Sequence, residues 1–392
     1  MSQAPVDSPV RELRKFVAPE LVFGVDARLL VGRYARNWGV RKMLLVSDPG
    51  VARAGWSEEV AECLRREGVQ VVTFHGISPN PRDHEVMAGV EVFRQEACDS
   101  LAAVGGGSVM DAAKGIGIVA SNHEHILKFE GVDRVKNPMP PLICVPTTGG
   151  TSADVSQFAI INHTTGRVKI AIISKALVPD VALVDPKTLT TVDAYLGACT
   201  GMDALVHAIE AFVSNASSPL TDLHAVEAIR LLHGHLAASL AHADDLDERS
   251  AVMLGSLEAG LAFSNASLGC VHALAHSLGG YLDLPHGECN ALLLPQVVDF
   301  NYEAAPERYA VLGRLLGCDL ERRTTSEARR ALRQFMIELR ESLGIRGALG
   351  QRRLGSTDVP VLADKALRDP CNATNPRPPC ARDLEVILEE SL

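Results

Sequence analysis

The sequence predicts an α/β half with a parallel, doubly wound sheet, followed by an all-α half. Three observations carry this prediction. Short apolar runs alternate with helical patterns in the first half, β-branched runs disappear from about residue 192, and long segments with a 3.6-residue period follow. A chain of 392 residues is long enough for two such domains.

The α/β half is predicted from buried, nearly continuous apolar strands that alternate with helices. The predicted strands are Lys42–Ser47, Val69–Val72, Leu101–Val104 and Pro141–Val145, and the helices between them are Ser57–Glu67, Asp83–Glu96 and Ser108–Ala120. Two further strands, Val168–Ser174 and Ala182–Val184, are predicted to form a hairpin beside the main sheet. Residues 1–17 are expected to form a loose arm.

The second half is predicted to be helical throughout. Its predicted helices are Ala198–Ser214, Pro219–Leu240, Asp247–Phe263, Ser267–Gly280 and Ser326–Leu343. The segment Arg368–Cys380 contains four prolines and is expected to be an ordered loop before a last helix, Ala381–Glu390. We place the domain boundary within residues 186–195, between a domain of residues 1–190 and a domain of residues 191–392.

Composition and charge narrow the function classes. Hydrophobic residues make up 47% of the chain and charged residues 22%, which is typical of a globular protein rather than a disordered one. A formal net charge of −10 argues against a large basic surface for nucleic acid. No apolar run reaches the roughly 18–20 residues of a membrane span, and the first residues lack a signal-peptide pattern. The nine cysteines are dispersed without a Cys-x-x-Cys pair, so we expect a reduced, cytoplasmic protein that binds neither nucleic acid nor membrane.

A glycine-rich segment follows the third predicted strand. Gly105-Gly106-Gly107-Ser108 precedes a predicted helix, and glycines there permit positive φ and close approach of a ligand. Free N–H groups at a helix start favour an anion such as a pyrophosphate. We expect Ser108 to cap the helix, with Asp111 completing a pattern like a capping box. Since the segment is not Gly-x-Gly-x-x-Gly, a plain strand-to-helix turn is the alternative.

Two further features point to a nucleotide at the same sheet edge. A second loop, Pro146–Asp154, follows the next strand and is rich in hydroxyl groups and glycine. Asp48 ends an apolar strand, where a carboxylate accepts hydrogen bonds from an adenosine ribose and repels a 2′-phosphate. This favours NAD over NADP. The alternative is a turn aspartate before Pro49-Gly50.

A group of histidines indicates a metal site. Asp203 and His207 lie four residues apart and share a predicted helix face, and His272 and His276 repeat that spacing. His286 follows in a Pro-His-Gly segment, predicted to be a loop. A lone histidine on a helix is usually structural, but two such pairs and a loop histidine form a suitable ligand set for Fe(II) or Zn(II). Four ligands are expected from these five candidates.

Taken together, these motifs resemble those of the iron-containing (group III) alcohol dehydrogenases. The matching stretches are Gly105–Ser108 with Asp111 and Lys114, Pro146–Thr148 with Gly150–Ser152, Gly201–Leu205 with His207–Glu210, Ala262–Ala266, His272–His276, Pro285–Gly287 and Asn375–Arg377. The resemblance runs from about Phe23 to the end of the chain. It implies a Rossmann-like N-terminal domain, with a parallel sheet flanked by helices, and an all-α C-terminal domain.

The resemblance also implies roles for individual residues. The metal ligands would be Asp203, His207, His272 and His286. His276 would lie near the nicotinamide and the substrate, where it could relay a proton. The dinucleotide would contact Asp48, Asn80, Gly106, Gly107, Ser108, Thr147, Thr148, Thr151 and Lys169. Phe158 and Phe263 would line the substrate pocket.

The activity implied is transfer of a hydride between NAD(H) and a small primary alcohol or aldehyde, bound to a divalent metal in the cleft between the domains. The resemblance favours Fe(II), while the usual order of affinities favours Zn(II). A homodimer or a larger homo-oligomer is expected. The alternatives are a polyol dehydrogenase or a hydroxyacid–oxoacid transhydrogenase of the same fold, a metal-dependent hydrolase or lyase, and a sensor without catalytic activity.

Overall fold

The N-terminal half is built on a six-stranded sheet whose strands all run parallel. A computed structural model describes residues 15–352 and 354–392, so most of the predicted arm lies outside the described residues. The strands are β1 (Glu20–Phe23), β2 (Lys42–Val46), β3 (Gln70–Phe74), β4 (Ser100–Gly105), β5 (Gly131–Val132), β6 (Leu142–Pro146), β7 (Phe158–His163), β8 (Val168–Ile173) and β9 (Val181–Val184). The order in the main sheet is β1-β9-β6-β4-β2-β3.

Helices cover both faces of this sheet, which confirms the doubly wound prediction. They are α1 (Val31–Asn37), α2 (Pro49–Ala54), α3 (Trp56–Arg66), α4 (Asp83–Gln95) and α5 (Gly107–Asn122). Successive side chains of a strand point to opposite faces. Accordingly, Leu44 of β2 packs in the same core as α4 and α5, whereas Leu45 packs in a second core with α1 and α3. Because β4 and β6 pair in parallel, their carboxyl ends lie side by side at one edge of the sheet.

The predicted hairpin was wrong in its pairing. Val168–Ile173 pairs antiparallel with Phe158–His163, a strand that sequence reasoning missed, while Val181–Val184 lies in the main sheet between β1 and β6. A four-residue apolar run reads the same in a hairpin as in a buried parallel strand, so the pattern alone did not separate the two. The edge strand β1 was also missed, because it is short and only partly buried.

The C-terminal half is helical, as predicted. Its helices are α6 (Ala194–Val213), α7 (Pro219–Ala241), α8 (Leu246–Ala266), α9 (Cys270–Leu282), α10 (His286–Asn301), α11 (Pro306–Leu315), α12 (Thr325–Ser342), α13 (Val359–Leu367) and α14 (Ala381–Glu389). Sequence reasoning missed α10, α11 and α13. His286 is the first residue of α10 rather than a loop residue, which corrects the prediction. Pro295 lies inside α10, and an internal proline normally argues against a helix.

Helix α6 lies at the centre of the larger core. By length and composition it could cross a membrane, but 83% of its apolar window is buried inside the protein. Its side chains pack against those of α7, α8 and α10. It is thus a core helix, and the polar side chains that it carries are held in a protected interior.

Candidate active site

Four side chains from three helices converge in the helical half. On α6, Nε2 of His207 lies 3.9 Å from Oδ1 of Asp203. The Nε2 atom of His272, on α9, lies 3.6 Å from the same oxygen. The Nε2 atom of His286, on α10, lies 3.8 Å from it. The residues that sequence reasoning proposed as metal ligands are therefore neighbours in space.

The start of α9 is held by side chains from elsewhere in the chain. Glu210 accepts hydrogen bonds from the backbone N–H groups of Gly269 and Val271, at 3.0 and 2.7 Å. Asn375 accepts one from Cys270 N at 3.1 Å. These bonds satisfy donors that a helix N-terminus leaves unpaired, and a carboxylate there also complements the helix dipole. The first turn of α9 is fixed relative to α6 as a result.

Glu210 also orients one histidine of the cluster. The Nδ1 atom of His272 donates to Oε2 of Glu210 at 2.7 Å. Since a carboxylate only accepts, Nδ1 carries a proton and Nε2 faces Asp203. Sequence reasoning did not assign Glu210 a role, although it lies three residues after His207 on the same helix.

The donor atoms fit a divalent cation. The Nδ2 atom of Asn290 lies 2.5 Å from Oδ1 of Asp203, 3.1 Å from Nε2 of His272 and 3.3 Å from Nε2 of His286. These three atoms thus surround one place, which the side-chain amide of Asn290 borders. One carboxylate and three imidazoles form a donor set that suits Fe(II) or Zn(II). Asn290 was missed, although its position four residues after His286 places it on the same helix face.

Burial and neighbouring charges leave most side chains of the cluster in the deprotonated state that binds a cation. Burial lowers the pKa of His207 to about 3 and that of His286 well below its ordinary value, so both rings are neutral. Burial opposes ionisation of Asp203, but the three histidines lower its pKa below the usual range. Burial also opposes the charge on His272, yet its hydrogen bonds to Asp203 and Glu210 raise its pKa to about 9.

Uptake of Zn²⁺ by the metal-free protein should weaken as the pH falls from about 8 to about 7. His272 holds a proton below its pKa of about 9, and a metal ion must displace that proton. We therefore expect the apparent affinity to fall about tenfold per pH unit. Competition with a chromogenic chelator measures it. Glu210→Gln, which removes one of the charges that raise this pKa, should show a smaller pH dependence, and equal wild-type affinities at the two pH values would contradict the prediction.

Two adjoining cavities bring the other predicted site residues together. A cleft of about 890 Å³ runs along the sheet edge. It is lined by Asp48, Asn80, Gly106, Gly107, Ser108, Thr147, Thr148 and Thr151. A smaller cavity of about 100 Å³ is lined by Phe158, Lys169, Phe263, Leu268 and His276, among others. Asp203 and His286 line both, so the cluster lies where the cavities meet.

The glycines of the segment Gly105–Ser108 are needed for close packing and not for positive φ. Gly106 occupies the N-cap of α5 with an ordinary φ of −83°, so positive φ is not used there. The proposed capping by Ser108 was also wrong, because α5 begins at Gly107 and Ser108 lies within the first turn. Close approach is the real requirement: a Cβ on Gly107 would lie 2.6 Å from Oγ1 of Thr151. The two loops therefore touch, and the N-terminus of α5 opens into the cleft.

Asp48 caps a helix at the wall of the larger cleft. It is the N-cap of α2, where its Oδ1 accepts from the N–H groups of Gly50 and Val51 at 2.7 and 3.0 Å. It also lines the larger cleft. The turn role is therefore present, and it leaves a carboxylate at the cleft wall.

The smaller cavity is lined by two phenylalanine rings and by a buried lysine. The rings of Phe158 and Phe263 lie 5.7 Å apart, and Phe263 stacks on His207 at 4.3 Å. Lys169 contributes from β8, and burial lowers its pKa. A cavity of this size beside the cluster admits a small molecule with a short carbon chain.

A buried carboxylate–imidazole cluster, next to a cleft at the carboxyl ends of parallel strands, is typical of proteins that bind a metal ion and a nucleotide. Two family models match the chain: "iron-containing alcohol dehydrogenase" over residues 18–186, and "Fe-containing alcohol dehydrogenase family, C-terminal" over residues 197–392. The chain belongs to the iron-containing alcohol dehydrogenase family, which confirms the resemblance drawn from its motifs.

Individual relatives match over almost the whole chain. It is 36% identical to the NAD-dependent methanol dehydrogenase of Bacillus methanolicus, across 96% of this chain and 99% of that one. It is 38% identical to the 1,3-propanediol dehydrogenase of Citrobacter freundii, across 94% and 96%. The crystal structure of a 1,3-propanediol oxidoreductase superposes with a TM-score of 0.93 at 37% identity, across 97% of this chain and 100% of that one.

Proposed function

We propose that the protein is an NAD-dependent, metal-dependent alcohol dehydrogenase or aldehyde reductase that acts on a small primary alcohol or aldehyde. One observation carries the proposal: Asp203 and His286 line both the nucleotide-sized cleft and the small cavity. A dinucleotide in the cleft and a small alcohol in the cavity would therefore meet at the cluster. The methanol and propanediol dehydrogenase activities named for the relatives support this reading.

Asp203, His207, His272 and His286 would hold the metal, with Fe(II) favoured by the family and Zn(II) as the second candidate. A divalent ion supplies positive charge at a substrate oxygen, and the nicotinamide ring supplies the hydride chemistry. The chain itself supplies orientation. Phe158 and Phe263 confine the carbon chain, and His276 lines the same cavity, where it can take the hydroxyl proton.

The cofactor would lie along the cleft against Asp48, Asn80 and the two loops. The start of α5, at Gly106, Gly107 and Ser108, would face the pyrophosphate. Thr147, Thr148 and Thr151 would offer hydroxyl groups from the second loop, and Lys169 would lie near the nicotinamide end. We assign residues 1–190 to a nucleotide-binding domain and residues 191–392 to a metal-binding domain.

A coupled assay tests the function directly. Protein purified anaerobically, with its metal content measured, would be assayed for NADH formation with a panel of C1–C4 alcohols and diols, and for NADH consumption with the matching aldehydes. We expect metal-dependent turnover with short primary substrates. A fully metal-loaded protein that turns over none of them would contradict the proposal. Nucleotide that copurifies stoichiometrically, with turnover only between a hydroxy acid and an oxo acid, would favour a transhydrogenase.

We also propose that the enzyme is cytoplasmic and forms a homodimer or a larger homo-oligomer. Light scattering coupled to size-exclusion chromatography measures the assembly, and a single peak at the 41.9 kDa mass of one chain would contradict it.

Replacing Asp48 with asparagine should weaken the preference for NAD over NADP without unfolding α2. Asparagine caps a helix as well as aspartate does, but it lacks the charge that repels a 2′-phosphate. We expect the ratio of kcat/KM for NAD to that for NADP to fall by about tenfold, a difference of about 1.4 kcal/mol. An unchanged ratio would limit Asp48 to its capping role. Asp48→Ala is the matched comparison, since it should also cost about 1 kcal/mol of stability.

A further inference from the structure

The function proposed so far assigns no role to Asp369, a buried carboxylate in the second half of the chain. Asp369 precedes the short 3-10 helix Pro370–Thr374, and its Oδ2 lies 2.8 Å from Nδ1 of His276. Both side chains are buried: 5% of the His276 side chain and 7% of the Asp369 side chain are exposed. His276 lines the smaller cavity, and its ring stacks on that of His286 with centroids 5.3 Å apart.

Asp369 is itself held in place. Its Oδ1 accepts a hydrogen bond from the backbone N–H of Cys371 at 2.9 Å. Burial opposes its ionisation, yet the interaction with His276 and the hydrogen bonds from Cys371 lower its pKa below the ordinary value. The carboxylate is therefore ionised and fixed at both oxygens, one toward the backbone and one toward the imidazole.

This arrangement determines which nitrogen of His276 carries a proton. A carboxylate only accepts, so Nδ1 is the protonated nitrogen. The lone pair of Nε2 is then left for the cavity that His276 lines. We infer that Asp369 is a positioning residue for the reaction, which holds His276 in the tautomer whose Nε2 can accept the substrate's hydroxyl proton. The kinetic consequence rests on the proposed function.

The step balances with the proposed reaction. The alcohol loses its hydroxyl proton to Nε2 of His276 and a hydride to NAD⁺, which gives the aldehyde and NADH. In the reverse direction, Nε2 returns the proton to the forming hydroxyl group. In the opposite tautomer of the neutral ring, Nε2 already carries a proton and has no free lone pair. It could not accept the hydroxyl proton, so alcohol oxidation would be slow.

Asp369→Asn is a sharp test because the backbone fixes how the amide must sit. The N–H of Cys371 keeps an oxygen acceptor on its own side, so the amide NH₂ group is turned toward His276. An NH₂ group donates, and Nδ1 must then become the acceptor, which moves the proton to Nε2. The variant should therefore reverse the tautomer while keeping size and shape.

We expect Asp369→Asn to lower kcat for alcohol oxidation by about 100-fold, with KM for NAD and the bound metal unchanged. The tautomer is read independently of turnover, from long-range ¹H–¹⁵N correlations of zinc-loaded protein labelled in its histidines. The signals of His276 are identified by their loss in His276→Ala. Wild type should show the proton on Nδ1, and the variant should show it on Nε2.

Two controls separate positioning from a structural effect. Glu248→Gln removes the charge from a similar pair, in which Nδ1 of His235 lies 2.9 Å from Oε2 of Glu248 on the surface of α7 and α8, and should leave kcat unchanged. In the His276→Ala background, Asp369→Asn should cost nothing further. An equal loss in both backgrounds, or an unchanged tautomer, would overturn the inference. A wild-type protein that oxidises no alcohol would instead refute the proposed function. The tautomer measurement would still decide whether Asp369 positions His276.

Discussion

Replacing His207 with alanine should remove the metal and nearly all turnover. His207 faces Asp203 from the next turn of α6, and its buried ring is neutral, with a pKa of about 3, so it is ready to donate a lone pair. A cation left with one ligand fewer loses affinity, and a substrate oxygen loses the charge that polarises it, an effect of several kcal/mol. We expect kcat/KM to fall by about three orders of magnitude.

Elemental analysis and the NADH assay on the same preparation measure both effects. His242→Ala is the matched control, because His242 is exposed at the end of α7, away from the cluster. It should keep full metal content and activity. Full metal content together with full turnover in His207→Ala would show that the ligand assignment is wrong.

The sequence predicted those site residues whose relation to one another is local in the chain. Asp203 and His207, like His272 and His276, are four residues apart, and a helix puts such pairs on one face whatever surrounds it. Gly106 and Gly107 follow an apolar strand, and that order places them at the carboxyl edge of a parallel sheet. These residues were found because the relation between them is short-range.

The supporting side chains could not be found in the same way. Glu210 bonds to His272 across 62 positions, and Asp369 bonds to His276 across 93. No periodicity links such residues, because their contact depends on how helices pack. Strand order is also a long-range property, which explains why β9 was assigned to a hairpin and not to the main sheet. The N-cap is Gly106 and not Ser108, a shift of two residues, because a cap depends on the position of the first helical residue.

The contact that brings His286 to Asp203 depends on a glycine. Gly287 is the second residue of α10, and a Cβ built on it would lie 2.3 Å from the backbone oxygen of Cys199 on α6 and 3.4 Å from Cβ of Asp203. A side chain could rotate away from such a clash, but a helical carbonyl cannot. Any larger residue must therefore push α10 away from α6.

Gly287→Ala should accordingly damage the metal site without touching a ligand. Separating the two helices moves His286 and Asn290 away from Asp203, and overpacking costs about 1–3 kcal/mol. We expect a lower metal affinity and a lower melting temperature. We also expect kcat/KM to fall by about 100-fold, because the overpacking energy weakens the metal site. Gly234→Ala is the matched control: it lies inside α7, where a Cβ meets nothing within 4 Å, so helix propensity should raise stability by up to about 1 kcal/mol. If both variants kept wild-type metal affinity, close contact between α6 and α10 would not be what holds His286 in the cluster.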